Sequence, residues 1–143
     1  MVALNSDGHA TATKRRVCAG EVREPAPKTW SNCLRVGDQI FVSGMTARGA
    51  DGEQVNGDAY DQAKVIFRKI KSLVEAAGGV MDDVVKMTIF VTDIASNTKV
   101  WEARREFFSG DFPACSLVEV AALAKREILV EIEALAIAGC STS

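Results

Sequence analysis

From Leu129 to Ala138 the chain reads LVEIEALAIA, and the alternation in this stretch constrains the fold more than any other feature. The even positions Val130, Ile132, Ala134 and Ala136 are all apolar and small enough to meet helices. The odd positions Leu129, Glu131, Glu133, Leu135 and Ile137 mix two carboxylates with three large apolar groups. A strand sends successive side chains to opposite faces, so one face of the sheet is a dry core. The other is neither core nor plain solvent surface. In Ala114 to Val120, Cys115, Leu117 and Glu119 alternate with Ala114, Ser116, Val118 and Val120 and repeat the feature. A face of this kind packs against another chain and leaves its polar residues for a cleft at the seam.

The remaining segments supply the partners of that strand. Asn32 to Val36 and Gln39 to Ser43, separated by Gly37-Asp38, read as a hairpin. Gly44 to Gly57 is expected to be an exposed loop. Asp58 caps a helix with Tyr60, Ala63, Phe67, Ile70, Val74 and Ala77 along one face, ending at Gly78-Gly79. Val84 to Val91 is expected to be a strand with Val85, Met87, Ile89 and Val91 on one side and Lys86 and Thr88 on the other. A second helix is expected from Asn97 to Phe108, and strands at Ala114 to Val120 and Leu129 to Ala138 complete the set. The order implies an α+β layer, with both helices on one face of the sheet. Residues 1–13 read as a small, polar, disordered lead-in, and 14–143 as one domain.

Composition narrows the function. The 17 Lys plus Arg against 19 Asp plus Glu give a net charge of -2, and aromatics make up 6% of the chain. RNA cleavage or nucleic-acid binding would call for a basic groove with stacking aromatics, so no nucleic-acid partner is expected. No apolar run approaches the roughly 20 residues that span a bilayer, and Met1 to His9 lack a secretory pattern. The expected location is the cytoplasm, with no membrane partner. Cys18, Cys33, Cys115 and Cys140 lie far apart without a CxxC pair and are expected to be free thiols. The single histidine, His9, excludes a His-rich metal site, and Gly49, Gly52 and Gly57 are not spaced to cradle phosphate. Neither metal nor cofactor is expected.

Several segments together resemble a known family. Phe41 to Gly44 (FVSG), Glu75 to Gly78 (EAAG), Val84 to Asp93 (VVKMTIFVTD), Phe112 to Val120 (FPACSLVEV) and Val130 to Ala134 (VEIEA) are similar, in order and spacing, to the signature of the RidA (YjgF) family of reactive-intermediate deaminases. The resemblance runs from about Trp30 to Ile137. It implies a chorismate-mutase-like fold and a homotrimer whose sheets form a central barrel with ligand clefts between subunits. It also implies hydrolysis of small reactive enamines or imines, such as 2-aminoacrylate, to a 2-keto acid and ammonia. A protein doing this supplies a grip on the substrate carboxylate, a proton relay and a positioned water.

By position, the resemblance gives Glu131 the role of the glutamate that orients or activates water, and places Ser43 in the cleft lining. Trp30 stands where the family has a tyrosine near the cleft mouth, Trp101 where it often has asparagine, and Leu117 in place of a cleft cysteine. The largest departure is Cys115, which stands where deaminating members carry the arginine that grips the substrate carboxylate. A thiol offers one weak donor and no fixed charge, so ordinary 2-imino acid deamination is expected to be lost or altered.

Three readings follow. A cation from elsewhere restores the grip, with Arg48, Arg104 and Arg105 as candidates. Alternatively, a different small substrate is hydrolysed with Glu131 as base and Cys115 as a nucleophile. Or the chain is a non-catalytic metabolite-binding or chaperone-like member. Against these stand blander roles: Cys115 as a small apolar filler with no histidine to activate it, Glu119 and Glu133 as partners at the seam, and Trp101 as interface packing. The expected site is therefore Glu131 and Cys115 as catalytic groups, with Ser43, Trp30, Trp101 and Leu117 binding substrate.

Overall fold

The computed structural model describes residues 12–53 and 56–141, so most of the expected lead-in, 1–11, lies outside the described residues. Six strands form one mixed sheet: β1 (Arg15–Arg16), β2 (Cys33–Val36), β3 (Gln39–Met45), β4 (Val84–Val91), β5 (Ala114–Glu119) and β6 (Val130–Ile137). Two helices, α1 (Ala59–Ala76) and α2 (Asn97–Arg105), accompany it. The sheet order is β1-β2-β3-β6-β4-β5, in which only β4 and β5 run parallel. The last strand of the chain is thus central, hydrogen-bonded to β3 on one side and β4 on the other.

The alternation in β6 explains this position. Val130, Ile132 and Ala136 have no solvent exposure and Ala134 little, whereas Glu131 and Leu135 are half-buried and Glu133 and Ile137 exposed. The register carries both faces across the sheet. On the helix side one row runs Val42, Ala134, Met87, Cys115 and the next Met45, Ile132, Ile89, Leu117. On the other side a row runs Leu34, Phe41, Leu135, Lys86, Ala114. Large apolar groups remain open to solvent there, Phe41 at 42%, Val118 at 43% and Ile137 at 37% exposure.

Helix α1 starts and stops as its sequence dictates. The Asp58 carboxylate accepts from the Asp61 N–H at 3.0 Å while the Asp58 N–H donates to the Asp61 carboxylate at 3.2 Å, a reciprocal capping box. At the other end Gly78, at φ +96°, lets its N–H reach Glu75 O and the Gly79 N–H reach Val74 O at 2.9 Å, closing the open carbonyls. Between these ends Ala63, Ile66, Phe67, Ile70, Leu73 and Val74 are sealed against the sheet. Phe67 meets Phe107 at 5.4 Å and Phe108 at 6.0 Å, which ties the segment after α2 to α1. Gly37, at φ +59°, makes the two-residue turn of the β2–β3 hairpin.

Three expectations change in detail. Strand β3 extends through Gly44 to Met45, because a register shift between Val42 and Met45 carries the strand past the point where glycine suggests a loop. In β4 a shift between Val84 and Lys86 turns Val84 into the core and leaves Val85 half-buried, so Val85 is not on the face of Met87, Ile89 and Val91. Helix α2 ends at Arg105 rather than Phe108, since Glu106 and Phe107 donate to carbonyls only three residues back. A short edge strand, Arg15–Arg16, pairs with β2. None of the helices among the described residues is long and apolar enough to cross a membrane.

One buried carboxylate closes the fold. Asp83, in the 3-10 turn Met81–Asp83 before β4, accepts from the N–H groups of Val80 at 3.0 Å, Gly139 at 3.0 Å and Ser141 at 2.9 Å. Burial works to raise its pKa, but these donors outweigh it and hold the group below the ordinary carboxylate range. Asp83→Ala leaves those donors without their acceptor and is expected to cost at least about 2 kcal/mol in urea unfolding at pH 7. The folded-state pKa is depressed, so this stability is present above the unfolded value of about 4 and is lost as pH falls through the folded one. The gap between variant and wild type is therefore expected to narrow below about pH 4.

Candidate active site

A large cleft, about 570 Å³, lies where the β3 bulge passes β6. Glu131 enters it from β6, Trp30 and Arg23 from the segment before β2, Gly44 and Thr46 from the end of β3, and Lys69 from α1. Lys125 and Ile128 close it from the β5–β6 connection.

Gly44 makes room for the carboxylate. A Cβ at that position would stand 3.0 Å from Glu131 Cδ and 3.3 Å from its Oε1, so the absence of a side chain lets the carboxyl lie across the bulge. Burial, reinforced by the charge of Glu133, pushes the Glu131 pKa up. Among the described residues it has no ion-pair partner. A half-buried, unpaired carboxylate with a raised pKa is suited to taking up and returning a proton.

Two buried amides hold the walls. Asn32 donates to Arg23 O at 2.9 Å and accepts from the Trp30 indole N–H at 3.2 Å, fixing both residues from one side chain. Gln62 on α1 donates to Glu127 O at 2.9 Å and accepts from the Leu129 N–H at 2.9 Å, anchoring the connection that carries Lys125 and Ile128. Trp30 is itself 59% exposed and forms a flat wall at the mouth.

The expected site residues separate into three places. Glu131 and Trp30 share the large cleft. Ser43 lies in an adjoining groove of about 290 Å³ on the open sheet face, with Lys86, Thr88 and Glu133. Its hydroxyl donates to Ser31 O at 2.5 Å and its N–H to Asn32 O at 2.9 Å, so it also steadies the segment that bears Trp30. Cys115 and Leu117 are half-buried on the edge strand β5, beside Met87 and Ile89 on the helix side, the opposite face from Glu131. The nearest polar contact of the thiol is Ser116 O at 3.7 Å. Trp101 is exposed on α2 and lines neither cavity. Within one chain, then, Cys115 and Glu131 do not meet.

All four cysteines are free, and burial pushes the Cys33 thiol up to about 11, which makes it inert. No cluster of three metal-ligating side chains occurs among the described residues. Of the three arginines named as possible replacements for the missing cation, only Arg48 lines the large cleft. Arg23, Asn32, Gln62 and Lys69 carry no motif. The one sequence signal was positional: Gln62 and Lys69 lie at helical spacing from the buried stripe of α1.

The sequence and the fold match a known set of proteins. The sequence profile of the endoribonuclease L-PSP family matches residues 21–138. A RutC family protein of Pyrococcus abyssi is 38% identical over 117 residues, covering 79% of this chain and 91% of its own. The human 2-iminobutanoate/2-iminopropanoate deaminase is 32% identical over 130 residues, covering 90% and 94%. The chain belongs to the RidA family. The crystal structure of Escherichia coli TdcF with bound serine superposes on it with a TM-score of 0.78 at 29% identity, covering 86% of this chain and 98% of that one. Two helices on a six-stranded mixed sheet are thus the RidA-family fold, as the resemblance implied.

The raised pKa of Glu131 has a consequence for stability. The folded state disfavours the ionised form, so wild type loses stability as pH rises through the folded-state pKa. Glu131→Gln, which is never charged, is expected to melt above wild type at pH 7 and level with it below about pH 4, where both side chains are neutral. Thermal unfolding monitored across that range checks it.

Proposed function

We propose that this chain is a RidA-type hydrolase that deaminates a small reactive enamine or imine in clefts between the subunits of a homotrimer, with Glu131 as the general base. The observation that carries the proposal is the Glu131 carboxyl, half-buried, unpaired and raised in pKa, set across Gly44 in a cleft walled by Trp30. Relatives named as imine deaminases, and a relative's structure with bound serine, support a small amino-acid-like ligand.

The chemistry asks little of the protein. An enamine tautomerises to its imine as carbon gains a proton and nitrogen gives one up, and water then adds to the electrophilic C=N carbon. Glu131 accepts a proton from that water as the C–O bond forms. It returns that proton to nitrogen to give the carbinolamine, then carries the carbinolamine hydroxyl proton to nitrogen as the C–N bond breaks and the C=O bond forms, leaving a keto product and ammonia. Such general acid–base assistance contributes about 10²–10⁴-fold. In this proposal Ser43 holds the wall segment in place, while Cys115, Leu117 and Trp101 reach the cleft only from a neighbouring subunit. The exposed Phe41, Val118 and Ile137 support such a neighbour, since an apolar sheet face of this kind calls for a cover.

The second reading is a non-catalytic metabolite-binding or chaperone-like member. It is favoured by Cys115, a thiol on β5 where the family resemblance implies an arginine, which here is half-buried beside Met87 at the margin of the core. Release of keto acid and ammonia from freshly generated 2-aminoacrylate and larger imines separates the two. Wild type is expected to turn over at least one of these substrates, and Glu131→Ala to lower kcat by at least about 100-fold with its melting behaviour intact. Undiminished turnover in Glu131→Ala removes the assigned base, and absence of turnover on every imine favours the binding-only reading.

A further inference from the structure

The cleft that holds Glu131 is more basic than the chain around it. Arg23, Arg48, Lys69 and Lys125 line it, against only two carboxylates, Glu24 and Glu131, in a protein whose net charge is -2. Glu24 is already engaged by Arg16 at 2.6 Å. None of the four cations has an ion-pair partner among the described residues.

Two of the guanidinium groups converge on one point. A Cβ built on Gly52 would collide with Arg23 Nη1 and stand 3.6 Å from Arg48 Nη2. Gly52, at φ +89°, therefore supplies the space that both side chains use. Arg23 Nη1 donates to Asp51 O at 3.1 Å and Arg48 Nε to Gly52 O at 2.7 Å. From beneath, Lys69 Nζ donates to Thr46 O at 2.9 Å and Arg48 O at 3.0 Å.

A purely structural reading makes these three residues braces for the loop between β3 and α1. Bracing alone does not account for their charge. Each guanidinium has five N–H donors, and the bonds just named occupy one on each. Neutral amides would brace the same carbonyls without bringing like charges together. Lys69 shows the strain: burial, and then the charge of Arg48, bring its pKa down to about 8. An anion seated between these groups relieves both the repulsion and the lost hydration.

We infer that Arg48 and Arg23, backed by Lys69, form the anion grip of this cleft, and that its ligand is a small carboxylate held from the β3–α1 loop rather than from β5. The inference rests on the reading that the cleft receives substrate, but it concerns binding and not the base. It answers the Cys115 substitution directly, because two forked donors replace the one missing from β5. The carboxylate lies at the loop side, and the reacting carbon projects toward Glu131.

Calorimetric titration of the intact protein with 2-oxobutanoate, and in parallel with its uncharged amide, tests this without any turnover. Wild type is expected to bind the acid saturably and the amide at least about tenfold more weakly. Arg48→Gln and Arg23→Gln are each expected to weaken binding of the acid about tenfold or more, while Arg48→Lys recovers part of the loss. Arg105→Gln, on exposed α2, is expected to bind as wild type does. Melting temperatures of the unliganded variants within a few degrees of wild type show that loop bracing is not the property being read. Equal binding of acid and amide, undiminished binding in the Arg23→Gln/Arg48→Gln double variant, or no saturable binding by wild type overturns the inference. Retained binding of the acid by Glu131→Ala together with undiminished turnover would sink the base and leave the grip standing.

Discussion

The structure depends on the antiparallel insertion of β6 between β3 and β4. It is hydrogen-bonded to β3 on one side and to β4 on the other, and its two faces carry very different side chains. Its small apolar residues let α1 lie close on one side, sealing Ile66, Phe67, Ile70 and Leu73 beneath the helix. Its odd residues cannot join that core, and so they define a second face. Pairing of the chain's last strand with its middle ones also makes the fold a matter of long-range contacts. Asp83 reinforces this closure by holding the backbone beyond β6 against the turn that begins β4.

The site follows from an interruption in the same pairing. Between Val42 and Met45 the β3–β6 register slips, and the Ser43-Gly44 pair lies in that slip. Gly44 carries no side chain to fill the space beside Glu131. A regular strand would have put a Cβ against the carboxyl and closed the cleft. The bulge thus opens a half-buried position for an unpaired acid, and the cost of holding that acid ionised is what tunes its pKa. The walls are set by polar groups within the fold, Asn32 for Trp30 and Arg23, and Gln62 for the loop before β6.

Much of this was legible in the sequence because it rests on local rules. Asp58 three residues before Asp61, and Gly78-Gly79 after an apolar stripe, mark the ends of α1 without tertiary information. The alternation in Val130–Ile137 separates core from open face residue by residue. What could not be read depends on register. Val85 alternates correctly on paper, but the bulge beside it rotates the strand and gives its place to Val84. Cys115 and Leu117 share a pattern with Glu131, yet β5 runs parallel to β4 and its register puts them on the helix side. The family resemblance named Glu131 and Trp30, which share a cleft. It could not name Arg23 or Lys69, because their meaning lies in where the β3–α1 loop folds over them.

We propose that the open face of the sheet is covered by further copies of the chain, which complete the cleft. Sedimentation equilibrium at micromolar concentration tests it most directly. A single species at three times the 15.3 kDa chain mass is the predicted result, shifting toward lower mass when Phe41 on that face is replaced by Asp. A chain that remains monomeric across that range contradicts the account, because Phe41, Val118 and Ile137 would then stay open to water and no neighbour could bring Cys115 to Glu131.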